Sequence, residues 1–312
     1  MASLTRFAAG FLPFAPYPYA GEATACVLCG TRETLPLSTY DRRLKRLTSV
    51  VCAGCGLIRT DPMPTEAELS VYYRESYRLD YQFVGTKPPR RHLARTRAEA
   101  ARRVALLAPA LFPGARVLDH GAGSGEFLLA GAAAGWEMLG VEPGEAYSDH
   151  ARGEGARVLP ELPPADAPPF HAITAHHVLE HLRDPVAALR DLVARLAPDG
   201  VVYLSVPDMG PSPRPAFDRL HFAHVHGFVP ETLDLLAARA GLAPDPRFAR
   251  ERTTAVYRRG PAAAAPDPTL APRVRAGFHD VSPARHVLTL GWLRPTLRRF
   301  GRDLRDTFRA KR

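Results

Sequence analysis

The sequence predicts an α/β chain in which a mostly parallel sheet, covered by helices on both faces, follows a small cysteine-bearing module. Three observations support this. From Ala115 to Pro207 short apolar runs alternate with helical patterns, the alternation that builds a parallel sheet buried on both sides. The segment VLDHGAGSGEFL, residues 117–128, sets Gly121, Gly123 and Gly125 on alternate positions directly after an apolar run that ends in an acid. All four cysteines fall in two pairs, Cys26 with Cys29 and Cys52 with Cys55, with 22 residues between the pairs. At 312 residues, 46% of them hydrophobic, the chain is long enough for one well-buried α/β domain and a smaller unit.

Residues 1–20 read as an extended arm. The stretch FAAGFLPFAPYPYAG has the look of a secretory apolar region, but prolines and a glycine interrupt it and no small-residue cleavage site follows. No apolar run approaches membrane-spanning length, so a cytoplasmic protein is expected. Residues 21–90 read as a metal module and a connecting helix. Two Cys-X-X-Cys knuckles at this separation close a tetrahedral thiolate site around zinc, and Gly30 and Gly56 let backbone amides turn toward the thiolates. A pair two residues apart makes a poor disulfide, and four protein ligands leave no open position, so the expected zinc is structural and the unit zinc-ribbon-like. Next, Thr65 caps a helix with Glu66 and Glu68 in its first turn, and Tyr72, Tyr73, Tyr77 and Tyr81 read as an aromatic packing cluster. A second helix over 91–107 leads into the main domain.

That domain is expected over residues 91–260. ARVLDH and WEMLGVE read as strands, GEFLLAGAAAG and EAYSDHARGEG as helices, ARVL as a short strand, and HAITAHHV and VVYLSVP as further strands. Between the last two lies a helix capped by Asp184 with Pro185 at its first position. Val186, Leu189, Val193 and Leu196 form its buried face, and Pro-Asp-Gly at 198–200 ends it.

A ligand in such a sheet sits at the C-terminal ends of the strands, where bare glycines let backbone amides approach it. A dinucleotide loop wants a small residue where this chain has Glu126, and a pyrophosphate sits badly beside Asp119 and that glutamate. An amino-acid ammonium sits well there. Glu142, 23 residues after Asp119 at the end of the next strand, can accept both hydroxyls of a ribose.

VLDHGAGSGEFL, GVEPG, ITAHHVLEHLRDP and LAPDGVVYLSVPD together resemble the class I S-adenosylmethionine-dependent methyltransferases over about residues 91–260. The resemblance implies a Rossmann-like seven-stranded sheet whose last two strands form an antiparallel hairpin, here DPRFARER and TTAVYRR. It implies that Asp119 and the loop of Gly121, Ala122, Gly123 and Gly125 hold the methionine part of S-adenosylmethionine and Glu142 the ribose, with Pro143 and His176 completing the cofactor set. The cysteine module and the tyrosines after it are similar to those of bacterial methyltransferases that act on sugars and polysaccharide precursors. The expected acceptor is therefore a small molecule: a sugar, a nucleotide-sugar or a secondary-metabolite intermediate. Two features depart from the family. His171 stands where an acid is usual, and the short, proline-rich PELPPADAPP leaves the adenine contact unassigned.

Methyl transfer is an in-line displacement at a carbon activated by sulfonium, so the protein supplies alignment, a dry pocket and a base if the nucleophile carries a proton. HHVLEHL puts His176, His177, Glu180 and His181 after the domain's fourth strand, and HFAHVHGF supplies His221, His224 and His226 after its fifth. Three readings stay open. Glu180 and His181 pin the following helix, and the later histidines are surface residues. Or His181 is a general base oriented by Glu180, with His177 beside them. Or a divalent metal is held by His177, Glu180, His181 and His224 or His226, an arrangement that resembles the metal-dependent RNA 3′-end 2′-O-methyltransferases, from which His177 in place of a glutamate departs.

Residues 261–312 read as a linker, beginning with GPAAAAPDPTLAP from Gly260, and a tail. In the tail Trp292, Leu293, Leu297, Phe300, Leu304 and Phe308 alternate with arginines as a basic amphipathic helix after Pro295. Packing on the protein is expected; a second subunit or an anionic membrane surface are the other surfaces it fits. The formal charge of +9 suits an acidic partner such as nucleic acid, but arginine carries nearly all of it, the lysines being Lys45, Lys87 and Lys311 alone, as a GC-rich coding bias also produces. The alternatives to a small-molecule methyltransferase are an RNA methyltransferase and a cofactor-binding scaffold without turnover.

Overall fold

The computed structural model describes residues 15–75, 88, 90–212, 214–261, 264–278 and 283–289. Most of the N-terminal arm, Tyr77 and Tyr81, and the amphipathic tail from Trp292 to Phe308 lie outside the described residues.

The cysteine module is built on a small antiparallel sheet of β1 (Thr34–Tyr40), β2 (Arg46–Cys52) and β3 (Ile58–Thr60). Its fourth strand comes from far along the chain: β9 (His226–Gly227) pairs with β3, Ile58 opposite Gly227 and Arg59 opposite His226. Helix α1 (Glu66–Glu75) starts where expected because Thr65 and Glu68 cap each other: Thr65 Oγ1 accepts from the Glu68 amide at 3.2 Å, and Glu68 Oε2 accepts from the Thr65 amide at 2.8 Å. Glu68 Oε1 also accepts from the Ala20 amide at 2.7 Å, tying the end of the arm to this helix.

The main sheet has seven strands, β4 (Arg116–His120), β5 (Glu137–Val141), β6 (Val158–Leu159), β7 (Phe170–His176), β8 (Leu196–Ser205), β10 (Leu242–Pro244) and β11 (Thr254–Arg259), in the order β10-β11-β8-β7-β4-β5-β6. Neighbours from β6 through β8 are parallel and β11 runs against both of its neighbours. The expected Rossmann-like architecture is therefore present. Period-two alternation divides its core: Leu118, Ile173 and Val202 pack against α5 (Pro185–Ala194) and α6 (Pro230–Arg239), whereas Val117, Ala172 and Val201 pack against α2 (Arg90–Leu107) and α3 (Glu126–Ala133). A further helix, α4 (Glu145–Gly153), buries Ala151 against Ala122, Leu128 and Val158.

Three expectations need correction. Helix α5 is capped by Asp184, which accepts from the Ala187 amide at 2.9 Å, but it ends at Ala194; Leu196 opens β8 instead of extending the helix face. Pro-Asp-Gly at 198–200 lies inside that strand, where Phe170 pairs with Leu196 and Ala172 with Val201, so the excess residues of β8 bulge. The penultimate strand is Leu242–Pro244 and not Asp245–Arg252, because the Asp245 carboxylate accepts from the Arg247 amide at 3.1 Å and grips its guanidinium at 2.6 Å, folding the segment into a turn. The stretch after Gly260 is not linker throughout: α7 (Leu270–Ala276) buries Leu270, Ala271 and Val274 against Leu37, Val51 and Ile58 of the module. A short α8 (Pro283–Leu288) follows. Among the described residues no helix is long and apolar enough to cross a membrane.

Candidate active site

The glycine bend joins β4 to α3, and its three glycines have different causes. All three have positive φ: 77° at Gly121, 54° at Gly123 and 87° at Gly125. A Cβ on Gly121 would lie 2.4 Å from Val178 Cγ2, and one on Gly125 would lie 2.7 Å from Ala151 Cβ, so those two are required by packing. A Cβ on Gly123 would meet nothing within 4 Å. The bend is thus open to a ligand at Gly123. Four of its amides are already committed: Gly121 and Ala122 donate to Val141 O, Gly125 donates to Ala122 O, and Gly123 donates to Glu142 Oε2 at 3.0 Å.

The two carboxylates flanking the bend are held differently. Glu142, just past β5, takes the Gly144 amide on Oε1 at 2.8 Å besides Gly123 on Oε2. Asp119 is buried, and its Oδ1 accepts from Thr174 Oγ1 at 2.5 Å and from Arg103 Nη1 at 3.2 Å. Arg103 reaches it from α2 and lies over the Phe127 ring at 4.0 Å. Ala122 is buried in the α4 core, Pro143 is exposed in the turn beside Glu142, and Glu126 accepts from Ser124 Oγ. At the end of β7, His176 Nδ1 lies 3.3 Å from Tyr203 Oη, and burial, with His177 and Arg103 nearby, holds its pKa down to about 2, so the ring is neutral. His171 serves the start of β4, its Nδ1 accepting from the Arg116 amide at 2.9 Å.

Beyond β7 the chain passes through His177 at φ 57° into a single 3-10 turn, Leu179–His181. That turn buries Glu180 and brings four of the predicted side chains together. Glu180 Oε1 lies 3.3 Å from His177 Nδ1, 3.8 Å from His181 Nε2 and 3.8 Å from His224 Nε2. His181 Nδ1 lies 2.9 Å from Ala223 O, an atom that only accepts, so the proton sits on Nδ1 and Nε2 carries the lone pair. Burial lowers the pKa of His181 despite Glu180, and lowers that of His224 well below the ordinary value. His221 packs on His224 with ring centroids 3.7 Å apart.

His226 stands apart from this group, with Nε2 3.2 Å from Arg183 O and Nδ1 buried without a partner. Burial lowers its pKa to about 4, against about 6.5 in an unfolded chain. Between those values the unfolded chain binds the proton and the folded one does not, so stability falls as pH drops from about 6.5 to about 4. The expected loss is on the order of 3 kcal/mol, read from the pH profile of Tm, and His226→Gln should flatten that part of the profile.

The cysteines form a second centre. Cys26 Sγ lies 3.6 Å from Cys55 Sγ, Cys29 Sγ lies 3.4 Å from Cys52 Sγ, and all four sulfurs fall within 4.8 Å of one another without a disulfide. Four thiolates about 2.3 Å from one zinc stand about 3.8 Å apart, so the donors and their spacing fit that ion. Gly30 and Gly56 have φ of 78° and 77°, turning their amides back onto the carbonyls of Cys26 and Cys52.

Two residues escaped the sequence reading. Arg103 looks in sequence like one more arginine of a basic helix. Tyr73 belongs to the tyrosine run read as packing, and its neighbour Tyr72 does pack, 4.8 Å from the Phe222 ring. Tyr73 instead puts its hydroxyl 2.8 Å from His181 Nδ1 and donates to Ala223 O at 3.1 Å. No spacing signal separates these two neighbours.

Residues 91–245 match the family described as Methyltransferase domain. Among curated proteins the chain is similar to the ubiquinone biosynthesis O-methyltransferase of Actinobacillus pleuropneumoniae serotype 5b, 32% identical over 106 residues that make up 30% of this chain and 45% of that protein. It is similar as well to the protein of the same name from Hahella chejuensis, 30% identical over 112 residues, 33% of this chain and 47% of that one. The chain spans about half the length of the curated relatives it matches. Among solved structures it is similar to a SAM-dependent methyltransferase from Archaeoglobus fulgidus, with 22% identity, a TM-score of 0.39, and coverage of 47% of this chain and 69% of that chain. On the family match, residues 91–245 of this chain belong to the family of S-adenosylmethionine-dependent methyltransferase domains.

Proposed function

We propose that this protein transfers a methyl group from S-adenosylmethionine to a small-molecule acceptor in the cytoplasm, with a structural zinc at the four cysteines. The observation that carries the reading is the bend open at Gly123 and pinned by Glu142 at the C-terminal ends of β4 and β5. The bound cofactor supplies a methyl carbon activated by sulfonium. Glu142, placed at the bend by its bonds to the Gly123 and Gly144 amides, accepts the ribose hydroxyls. Asp119, neutralised in part by Arg103, fixes the shape of the bend and sets a negative charge near the ammonium.

The acceptor lies on the side of Glu180, His181 and Tyr73, where the pair Glu180–His181 activates its nucleophilic atom and Tyr73 holds the His181 ring. A sugar, a nucleotide-sugar or a secondary-metabolite intermediate is the proposed class, and two relatives named for O-methylation agree with a hydroxyl as the nucleophile. The test is incubation with isotope-labelled S-adenosylmethionine and a panel of such compounds, followed by mass spectrometry. One added labelled methyl on a panel member supports the reading; binding of the cofactor without transfer to any acceptor, RNA included, points to the scaffold alternative. His181→Ala should lower turnover by about 100-fold or more and leave cofactor affinity within about twofold; unchanged turnover would return His181 to a structural role.

A further inference from the structure

Glu180, His181 and His224 are a second group of ligand-type side chains, apart from the cysteines, with donor atoms within 4.8 Å of one another. Glu180 is 1% exposed. The 3.8 Å from its Oε1 to each of His181 Nε2 and His224 Nε2 is too long for a hydrogen bond. Its other oxygen, Oε2, is buried with no hydrogen-bond partner, a costly arrangement for a carboxylate. Ligand atoms about 2.1 Å from one divalent ion stand roughly 3.0 to 4.2 Å apart, so these gaps have the width of an ion. His181 is already oriented for ligation: Ala223 O holds the proton on Nδ1, which makes Nε2 the ring's lone-pair atom and turns it toward Glu180, as outer partners do for metal-binding imidazoles. Burial keeps both rings neutral. His226 is committed to Arg183 O, and His177 is half exposed with only Nδ1 near Glu180.

We propose that Glu180 Oε1, His181 Nε2 and His224 Nε2 bind a first-row divalent transition cation. Two imidazoles and one carboxylate suit zinc, manganese or iron better than magnesium or calcium. Three protein ligands leave positions open, and the partly exposed His181 and His224 put those positions within reach of an acceptor. The role of the ion, though not its binding, rests on the methyltransferase reading. It gives the Glu180–His181 activation a specific form: the cation lowers the pKa of an acceptor hydroxyl, whose proton passes to His177 or to water. The oxygen then forms its bond to the methyl carbon as the carbon–sulfur bond breaks, and the sulfur keeps that electron pair as a neutral thioether.

The experiment titrates Mn²⁺ into zinc-replete, full-length protein and counts the free ion by its electron paramagnetic resonance. The expected result is saturable uptake of one Mn²⁺ per chain, weakened by about 100-fold or more in Glu180→Gln and in His224→Ala, with circular dichroism and cysteine-bound zinc unchanged. Absence of saturable uptake, or equal affinity in both variants, overturns the site. Full methyl transfer after removal of this ion overturns its role while leaving His181 as a general base. Failure of the wild-type protein to bind S-adenosylmethionine, with Mn²⁺ uptake intact, removes the methyltransferase reading and supports the site.

Discussion

Removing zinc with a chelator, or replacing Cys52 by Ser, is expected to unfold the N-terminal module and reduce turnover by about 100-fold while S-adenosylmethionine still binds the main domain. A structural zinc of four thiolates contributes an apparent free energy on the order of 10 kcal/mol, comparable with the whole stability of an ordinary domain. The path from the cysteines to the proposed acceptor site is short. Cys52 ends β2, its knuckle leads into β3, and β3 pairs with β9 while the Thr60 amide donates to Val225 O at 2.9 Å. The loop that ends in β9 carries His221 and His224. The knuckles also pack into the same core as Phe228 and Leu235, and Arg239 Nε donates to Leu28 O at 2.7 Å. Metal content, far-UV circular dichroism and turnover measured on the same sample check this. Full turnover by protein shown to hold no metal at the cysteines contradicts it.

Glu142→Ala is expected to weaken S-adenosylmethionine binding by about 100-fold. The carboxylate pins Gly123 and Gly144, and in the proposed reading it also receives the ribose. Hydrogen bonds to a charged acceptor are worth about 1.5–3 kcal/mol each, and about 1.4 kcal/mol is a factor of ten in affinity. Loss of the ribose contacts alone therefore accounts for the effect, and loosening of the bend adds to it. Isothermal titration is the measurement; affinity within about threefold of the wild type contradicts the assignment. Glu142→Gln separates the two jobs, since the amide keeps one acceptor but places donors against a backbone N–H.

The parts of this fold legible in the sequence are those governed by local rules. Strands β4, β5, β7 and β8 are buried on both faces and read as apolar runs; Thr65 and Asp184 cap helices; the knuckles have a spacing set by tetrahedral geometry. The parts missed depend on distant partners. Strand β10 has three residues, too few to show alternation, and exists because β11 is there to pair with it. Strand β9 has two and joins a sheet begun nearly two hundred residues earlier. Leu196 keeps the helical spacing from Val193, so periodicity alone assigned it to the helix, and only its pairing with Phe170 places it in β8. At the site, residue types and the grouping of His177, His181 and His224 around Glu180 were legible, and the other partnerships were not. The glycines looked alike, yet only Gly123 faces open space; Tyr73, Arg103 and the choice of His224 over His226 follow from contacts across the fold.

The most direct measurement is an experimental structure with S-adenosylhomocysteine bound. The account predicts both ribose hydroxyls on the Glu142 carboxylate, the amino-acid end in the space at Gly123, and the sulfur directed toward His181. A ligand seated at another edge of the sheet, or a Glu142 side chain turned away from the sugar, would contradict it.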